Sequence, residues 1–294
     1  MPVNYAAFGY APVLTAEAVT SLRAALTACG ARSVAESSSE NVNYAVFRAD
    51  LEFDGGLPEF RAALVRAMTG VDLRIAVVPT ELLQAKRKLF VLDVDSTLIQ
   101  QEVIELLAAH AGREAEVRSV TEAAMRGELD FAQSLHQRVA ALAGLPIGVL
   151  AEVQDAIRLS EGAERLIEGA HRAGHLVAAV SGGFSQILDP LAARLGLDRA
   201  RANELEIIDG LLTGRVSGAV VDRIAKAESL REWAAEAGIP LGATVAIGDG
   251  ANDLDMLAAA GLGLAYRAKP AVQAAADAQL DRLDQALELS GLAF

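Results

Sequence analysis

The stretch Phe90-Val91-Leu92-Asp93-Val94-Asp95-Ser96-Thr97 joins an apolar run to two carboxylates spaced i, i+2. Residues 88–92 read as a short strand buried on both faces, the pattern of a parallel sheet, and ligands gather at the carboxyl ends of such strands. Two acids placed there repel one another unless a cation or a proton lies between them. On these residues alone a strand-ending turn fits as well, because Asp, Ser and Thr favour turns and helix N-caps.

Three further apolar runs end in polar corners. Residues 176–180 lead into Ser181-Gly182-Gly183-Phe184, residues 244–247 into Gly248-Asp249-Gly250-Ala251-Asn252-Asp253, and residues 262–266 into Arg267-Ala268-Lys269-Pro270. Each corner precedes a helical pattern. The alternation predicts right-handed βαβ units and an α/β fold, a Rossmann-like doubly wound parallel sheet with its corners along one edge.

The contents of those corners complement one another. Carboxylates with small hydroxyl and Gly groups between them suit a phosphate monoester held with Mg²⁺, which prefers oxygen ligands and takes one or two protein carboxylates. Asp93 and Asp249 are the natural ligands. Ser181 and Gly182 offer a hydroxyl and an open backbone N–H to phosphate oxygens at a helix start. Lys226 is one of only four lysines in a chain that otherwise uses arginine, and a compact ammonium suits one phosphate oxygen and a neighbouring carboxylate. Taken alone, it reads as a solvated lysine at the start of a helix over 225–237.

On these residues the chain resembles the phosphoserine phosphatases of the haloacid dehalogenase superfamily. The first motif, Asp-x-Asp-Ser-Thr, stands at Asp93, Asp95, Ser96 and Thr97. The second stands at Ser181-Gly182-Gly183, the lysine of the third at Lys226, and the fourth, Gly-Asp-Gly-x-Asn-Asp, at Gly248 to Asp253. The resemblance implies that Asp93 is the nucleophile and forms an aspartyl-phosphate, while Asp95 serves as general acid and then general base. It further implies that Asp93, Asp249 and the Asp95 main-chain carbonyl hold Mg²⁺ with Asp253 in support. Ser181, Gly182 and Lys226 are then expected to bind the phosphoryl group, with Asn252 beside it.

Residues 101–159 form a largely helical insert, too long for a simple crossover, and are expected to cap the site. Phe131, Leu135 and Leu142 fall on one predicted helical face at i, i+4 and i+11, with Arg138 at i+7 in the middle of that stripe. A charge so placed points to a buried anion site. Glu102 borders the stripe of Ile99, Val103 and Leu106 and by itself reads as a solvated helix acid. In the resembling family the glutamate matching Glu102 receives the substrate ammonium and the arginine matching Arg138 its carboxylate; Met125 and Phe131 are expected as apolar walls. Opposite charges so separated select L-phosphoserine, because a phosphate lacking the zwitterion leaves a buried charge unpaired. The reaction products are then L-serine and phosphate, and the step the last in serine biosynthesis.

The 294 residues suffice for two domains, expected at 1–85 and 86–294, with the second holding a core of its own. Residues 1–85 show a βαββαβ order of strand and helix patterns that resembles an ACT domain, a ferredoxin-like α+β module. Its loop, Gly9-Tyr10-Ala11-Pro12-Val13, lacks the acid and the last glycine of the usual Gly-x-Asp-x-Pro-Gly, so the segment is expected to serve in homodimer assembly. Asp209-Gly210 is a hairpin signal.

A net charge of −13 argues against nucleic acid and acidic membranes as partners. No apolar stretch reaches the ~20 residues that span a bilayer, and one cysteine, Cys29, fits a reducing compartment, so a cytoplasmic protein is expected. A P-type ion pump shares aspartyl-phosphate chemistry but lacks the second acid and needs membrane helices. No Gly-x-x-x-x-Gly-Lys loop suggests a kinase, and the four histidines form no recognisable constellation. Phosphoryl transfer to an alcohol and an amino-acid-sensing module remain as rivals.

Overall fold

In the computed structural model, which describes residues 3–125 and 130–292, the chain builds two sheets. The first contains β1 (Val3–Ala11), β2 (Arg32–Glu40), β3 (Ala45–Phe53) and β4 (Arg74–Pro79), antiparallel in the order β2-β3-β1-β4. Helices Ala16–Ala28 and Leu57–Ala67 complete a ferredoxin-like βαββαβ unit. Thr15 starts the first of them by accepting from the Ala18 N–H at 3.1 Å.

The second sheet contains β5 (Leu89–Leu92), β6 (Leu176–Phe184), β7 (Arg199–Ile208), β8 (Leu211–Ser217), β9 (Thr244–Gly248), β10 (Leu262–Tyr266) and β11 (Ala278–Leu280). Their order is β11-β10-β9-β5-β6-β7-β8, parallel except for the β7–β8 hairpin, and the register sets Leu89 against both Leu176 and Thr244. The hairpin turns at Asp209 and Gly210, with φ of 50° and 77°, the left-handed pair that an Asp-Gly turn supplies.

The period of two explains why the central strands are apolar throughout. Leu89 and Val91 face the layer of Trp233, Leu230 and Met256, while Phe90 and Leu92 face the opposite layer with Leu166 and Ile187. Both faces are covered, as a parallel sheet requires.

The same logic applies to the N-terminal sheet. Tyr5, Ala7, Phe47 and Leu51 pack under its own helices against Leu22, Leu26, Phe60 and Leu64. Ala6, Phe8, Tyr10, Val46 and Val78, on the other face, join one continuous core with Leu280, Leu283 and Leu287 of the C-terminal segment. Polar links cross the same boundary: Tyr10 donates to the Gln279 carbonyl at 2.6 Å, Tyr44 to that of Asp284 at 3.1 Å, and Arg74 pairs with Asp281 at 3.0 Å. The core expected to close within residues 86–294 therefore continues into the N-terminal sheet. The alternation of β1 and β3 leaves two apolar faces, and only one is covered by the sheet's own helices.

Residues 101–159 hold helices Val103–Ala111, Glu114–Met125, Phe131–Ala140 and Val149–Ala156. The two connections to this cap run side by side, with an Ile99–Leu159 bridge and the Gln100 N–H donating to the Arg158 carbonyl at 2.9 Å. Ile99 thus belongs to a connection, not to the helix expected around Glu102, and Leu142 lies in the turn after the helix that carries Arg138. Both are buried, so the apolar stripe is real but is filled by residues flanking the helices.

Candidate active site

β5 ends at Leu92, and the Asp93 N–H donates to the Ile247 carbonyl at 2.9 Å, which binds the end of β5 to the end of β9. Asp93 and Asp249 are thereby set on one edge, and the carboxylates of Asp93, Asp249 and Asp253 all lie within 4.8 Å of one another. After Asp93 the chain winds tightly, with Leu98 donating to the Asp93 carbonyl and Ile99 to that of Val94. Ser96 adopts φ 56°, unusual for a residue with a side chain and found most often where function over-determines the backbone. Its hydroxyl donates to Glu102 Oε1 at 2.7 Å, and that of Thr97 to Asp249 Oδ1 at 2.8 Å.

Lys226 rises from the helix Arg223–Glu236 and is fully buried. Its ammonium donates to Asp93 Oδ1 at 2.6 Å and to Asp253 Oδ1 at 2.7 Å. Burial works against its charge, but the two carboxylates outweigh burial and hold its pKa above the usual lysine range. Burial also pushes the Asp93 carboxyl well up, Asp253 adds to this, and Lys226 opposes it. Lys226 is charged and faces more acid than one ammonium neutralises. Burial raises Asp249 to about 6 against the help of the Thr97 hydroxyl. Surplus negative charge on an all-oxygen donor set is the environment that a hard divalent cation satisfies.

Asp95 is held from two sides. Its Oδ1 accepts from the Val103 N–H at 2.7 Å, at the start of the first cap helix, and its Oδ2 from the Ser181 hydroxyl at 2.9 Å. Ser181 Oγ in turn accepts from the Gly183 N–H at 2.7 Å. A Cβ on Gly182 would come within 2.8 Å of the Phe131 ring, so the absent side chain is what lets the cap approach this corner. Asn203 braces the corner from below, donating to the Gly182 carbonyl and accepting from the Val221 N–H, both at 2.8 Å.

These groups open into a cavity of about 340 Å³ between sheet and cap, lined by Asp93, Asp95, Glu102, Phe131, Arg138, Gly182, Asp249 and Asn252. Ser181, Lys226 and Asp253 stand immediately behind them, hydrogen-bonded to the lining acids or to each other. Met125 ends its helix, and its side chain lies outside the described residues. Burial raises Glu102 to about 7, with Asp95 adding to the effect. Burial lowers Arg138 from its usual value while Glu102 and Asp95 counter this, so the roof of the cavity carries one group of each sign.

Thr97, which donates to Asp249, Asn203, which braces Gly182, and Thr121 and Lys269, which also line the cavity, are residues that sequence reasoning did not place in the site. Thr97 had a signal in its motif, but nothing local marks Asn203 or Thr121. Among the described residues the histidines lie elsewhere: His171 faces Asp198 at 2.9 Å, and His175 accepts from the Lys88 N–H.

An open parallel sheet with paired carboxylates at its edge and a helical cap above them defines the class of this protein as a capped α/β hydrolase. The family model for haloacid dehalogenase-like hydrolases matches residues 90–258. The chain is 52% identical over 282 residues to a phosphoserine phosphatase of Streptomyces coelicolor, covering 95% of this chain and 68% of that one. It is 50% identical over 240 residues to the phosphoserine phosphatase SerB2 of Mycobacterium tuberculosis, covering 81% of this chain and 59% of the other. A solved structure described as a phospho-aspartyl intermediate analogue of phosphoserine phosphatase superposes with a TM-score of 0.66 at 43% identity, over 71% of this chain and all of that one. The chain belongs to the haloacid dehalogenase-like hydrolases and, within them, to the phosphoserine phosphatases. No described helix is long and apolar enough to cross a membrane.

Proposed function

We propose that this protein hydrolyses L-phosphoserine to L-serine and phosphate, the last step of serine biosynthesis, with Mg²⁺ bound by Asp93, Asp249 and the Asp95 main-chain carbonyl and with Asp253 in support. The observation that carries the substrate is that Arg138 and Glu102, one group of each sign, both line a cavity floored by Asp93. Arg138 receives the substrate carboxylate and Glu102 its ammonium, and Phe131 walls the methylene between them.

Asp93 attacks phosphorus, and the bond from phosphorus to the seryl oxygen breaks as Asp95 gives that oxygen its proton. Asp95, now a carboxylate, takes a proton from water, the water oxygen attacks the aspartyl-phosphate, and Asp93 is regenerated as phosphate leaves. Ser181, the Gly182 N–H and Lys226 hold the phosphoryl oxygens, with Asn252 beside them. The divalent ion, when bound, supplies Lewis-acid stabilisation of charge on those oxygens.

Residues 1–85 act as an ACT-like assembly and regulatory module on the catalytic part, 86–294, whose cap spans 101–159. β2, exposed along its whole length and paired on one side only, supplies an edge for a homodimer. The compartment is the cytoplasm. Phosphate release from L-phosphoserine, measured with and without Mg²⁺, tests the reading. Turnover of p-nitrophenyl phosphate with none of L-phosphoserine would overturn the substrate assignment.

A further inference from the structure

The cavity has an excess of acid. Asp93, Asp95, Glu102 and Asp249 line it, against two cations, Arg138 and Lys269. Arg138 is on the cap and lies in the field of Glu102 and Asp95. Lys226, behind the floor, is taken up by Asp93 and Asp253. Among the described residues the Lys269 ammonium has neither a hydrogen bond nor an ion pair.

Its place is well defined all the same. Lys269 follows β10, which pairs with β9 in register up to Ala265 against Gly248, so it stands beside the strand end that carries Asp249 and Asn252. Arg267 turns the chain there with φ 44°, and its guanidinium is tied to Glu161 at 2.9 Å and to the Asp281 carbonyl at 3.0 Å. The backbone of Lys269 is extended, as the following Pro270 favours. The loop thus anchors one cation away from the cavity and leaves the other lining it.

We infer that Lys269 is a phosphate-binding residue that attracts the phosphoryl group at the open side of the cavity, a role that rests on the phosphomonoester reading of the site. Besides the divalent ion and Lys226 on the floor, an unpaired ammonium lining a cavity with four carboxylates adds to the attraction for an incoming dianionic phosphate. Arg138 discriminates for the amino-acid end of the substrate; Lys269 attracts the phosphate end.

The test compares Lys269→Gln, Lys269→Glu and Lys269→Arg in steady-state kinetics with L-phosphoserine and p-nitrophenyl phosphate, alongside competitive inhibition by inorganic phosphate. Lys269→Gln should raise both KM values and the phosphate inhibition constant by about fivefold at low ionic strength, more than it lowers kcat. The effect should shrink in about 0.5 M salt, Lys269→Glu should exceed it, and Lys269→Arg should restore most of the loss. Unfolding temperature should hold, since no folded-state partner is lost. Both KM values and phosphate inhibition unchanged, or a loss confined to L-phosphoserine, would overturn the inference. Should L-phosphoserine not be a substrate at all, the aryl phosphate and inorganic phosphate still decide the role of Lys269.

Discussion

Lys226 donates to Asp93 Oδ1 across 2.6 Å, and both residues are buried. This ammonium is the one side-chain cation in direct contact with the floor carboxylates among the described residues. Removing it leaves Asp93 and Asp253 facing each other. Lys226→Met should therefore abolish turnover and destabilise the metal-free protein by about 3–5 kcal/mol, the scale of breaking a buried pair from one side. Asp93→Asn should also abolish turnover, yet leave the fold intact, because it relieves acid instead of exposing it. Thermal unfolding in chelator separates the two variants. A Lys226→Met protein as stable as the parent would contradict this balance of charge.

Asp95 is pinned by Val103 and Ser181 yet borders the cavity. Asp95→Asn should lower kcat by roughly 10²- to 10⁴-fold, the range of general acid–base assistance. Single-turnover phosphate release measures it, and a loss below about tenfold would remove Asp95 from proton transfer.

Glu102 titrates at about 7 in the free protein, raised mainly by burial. Only its carboxylate form attracts an ammonium, so kcat/KM for L-phosphoserine should fall as pH drops below that value, with no matching limb for p-nitrophenyl phosphate. A raised carboxyl pKa favours the protonated folded state, and its stabilising contribution is present below the unfolded value, 4.5, and lost as pH rises through about 7. Glu102→Gln should accordingly abolish the acid limb and stabilise the free protein above pH 8 by on the order of 1–2 kcal/mol. Parallel pH profiles for the two substrates would exclude Glu102 as the ammonium site.

Arg138 donates to its own helix at the Ser134 carbonyl, 3.3 Å away, leaving the rest of the guanidinium to a ligand. Arg138→Ala should weaken productive use of L-phosphoserine by about 1.5–3 kcal/mol, ten- to a hundredfold, and hardly affect p-nitrophenyl phosphate. Equal losses on both substrates would assign Arg138 a structural role.

The core that runs from Phe8 and Val46 to Leu283 and Leu287 predicts that both sheets melt together. Near- and far-UV signals should give one coincident transition, and a chain lacking residues 1–79 should unfold at lower temperature with its C-terminal segment exposed. Two resolved transitions would mean that the shared core contributes little.

Local chemistry made the strand ends legible: apolar runs closed by Asp, Ser and Gly announce a parallel sheet with a polar edge, and the identities at Asp93, Asp95, Ser181 and Asp249 announce the chemistry. Lys226 was legible only as one rare lysine in a motif. Its meeting with Asp93, 133 residues earlier, and that of Thr97 with Asp249, 152 residues later, were settled by β5, β6 and β9 lying side by side. Asn203 carried no signal at all, because a buried amide bracing a distant carbonyl has no periodicity of its own. The same holds for the second apolar face of the N-terminal sheet. Alternation along β1 shows that two faces are apolar, but which body covers each is a matter of tertiary packing, since burial depends on partners that sequence spacing does not encode.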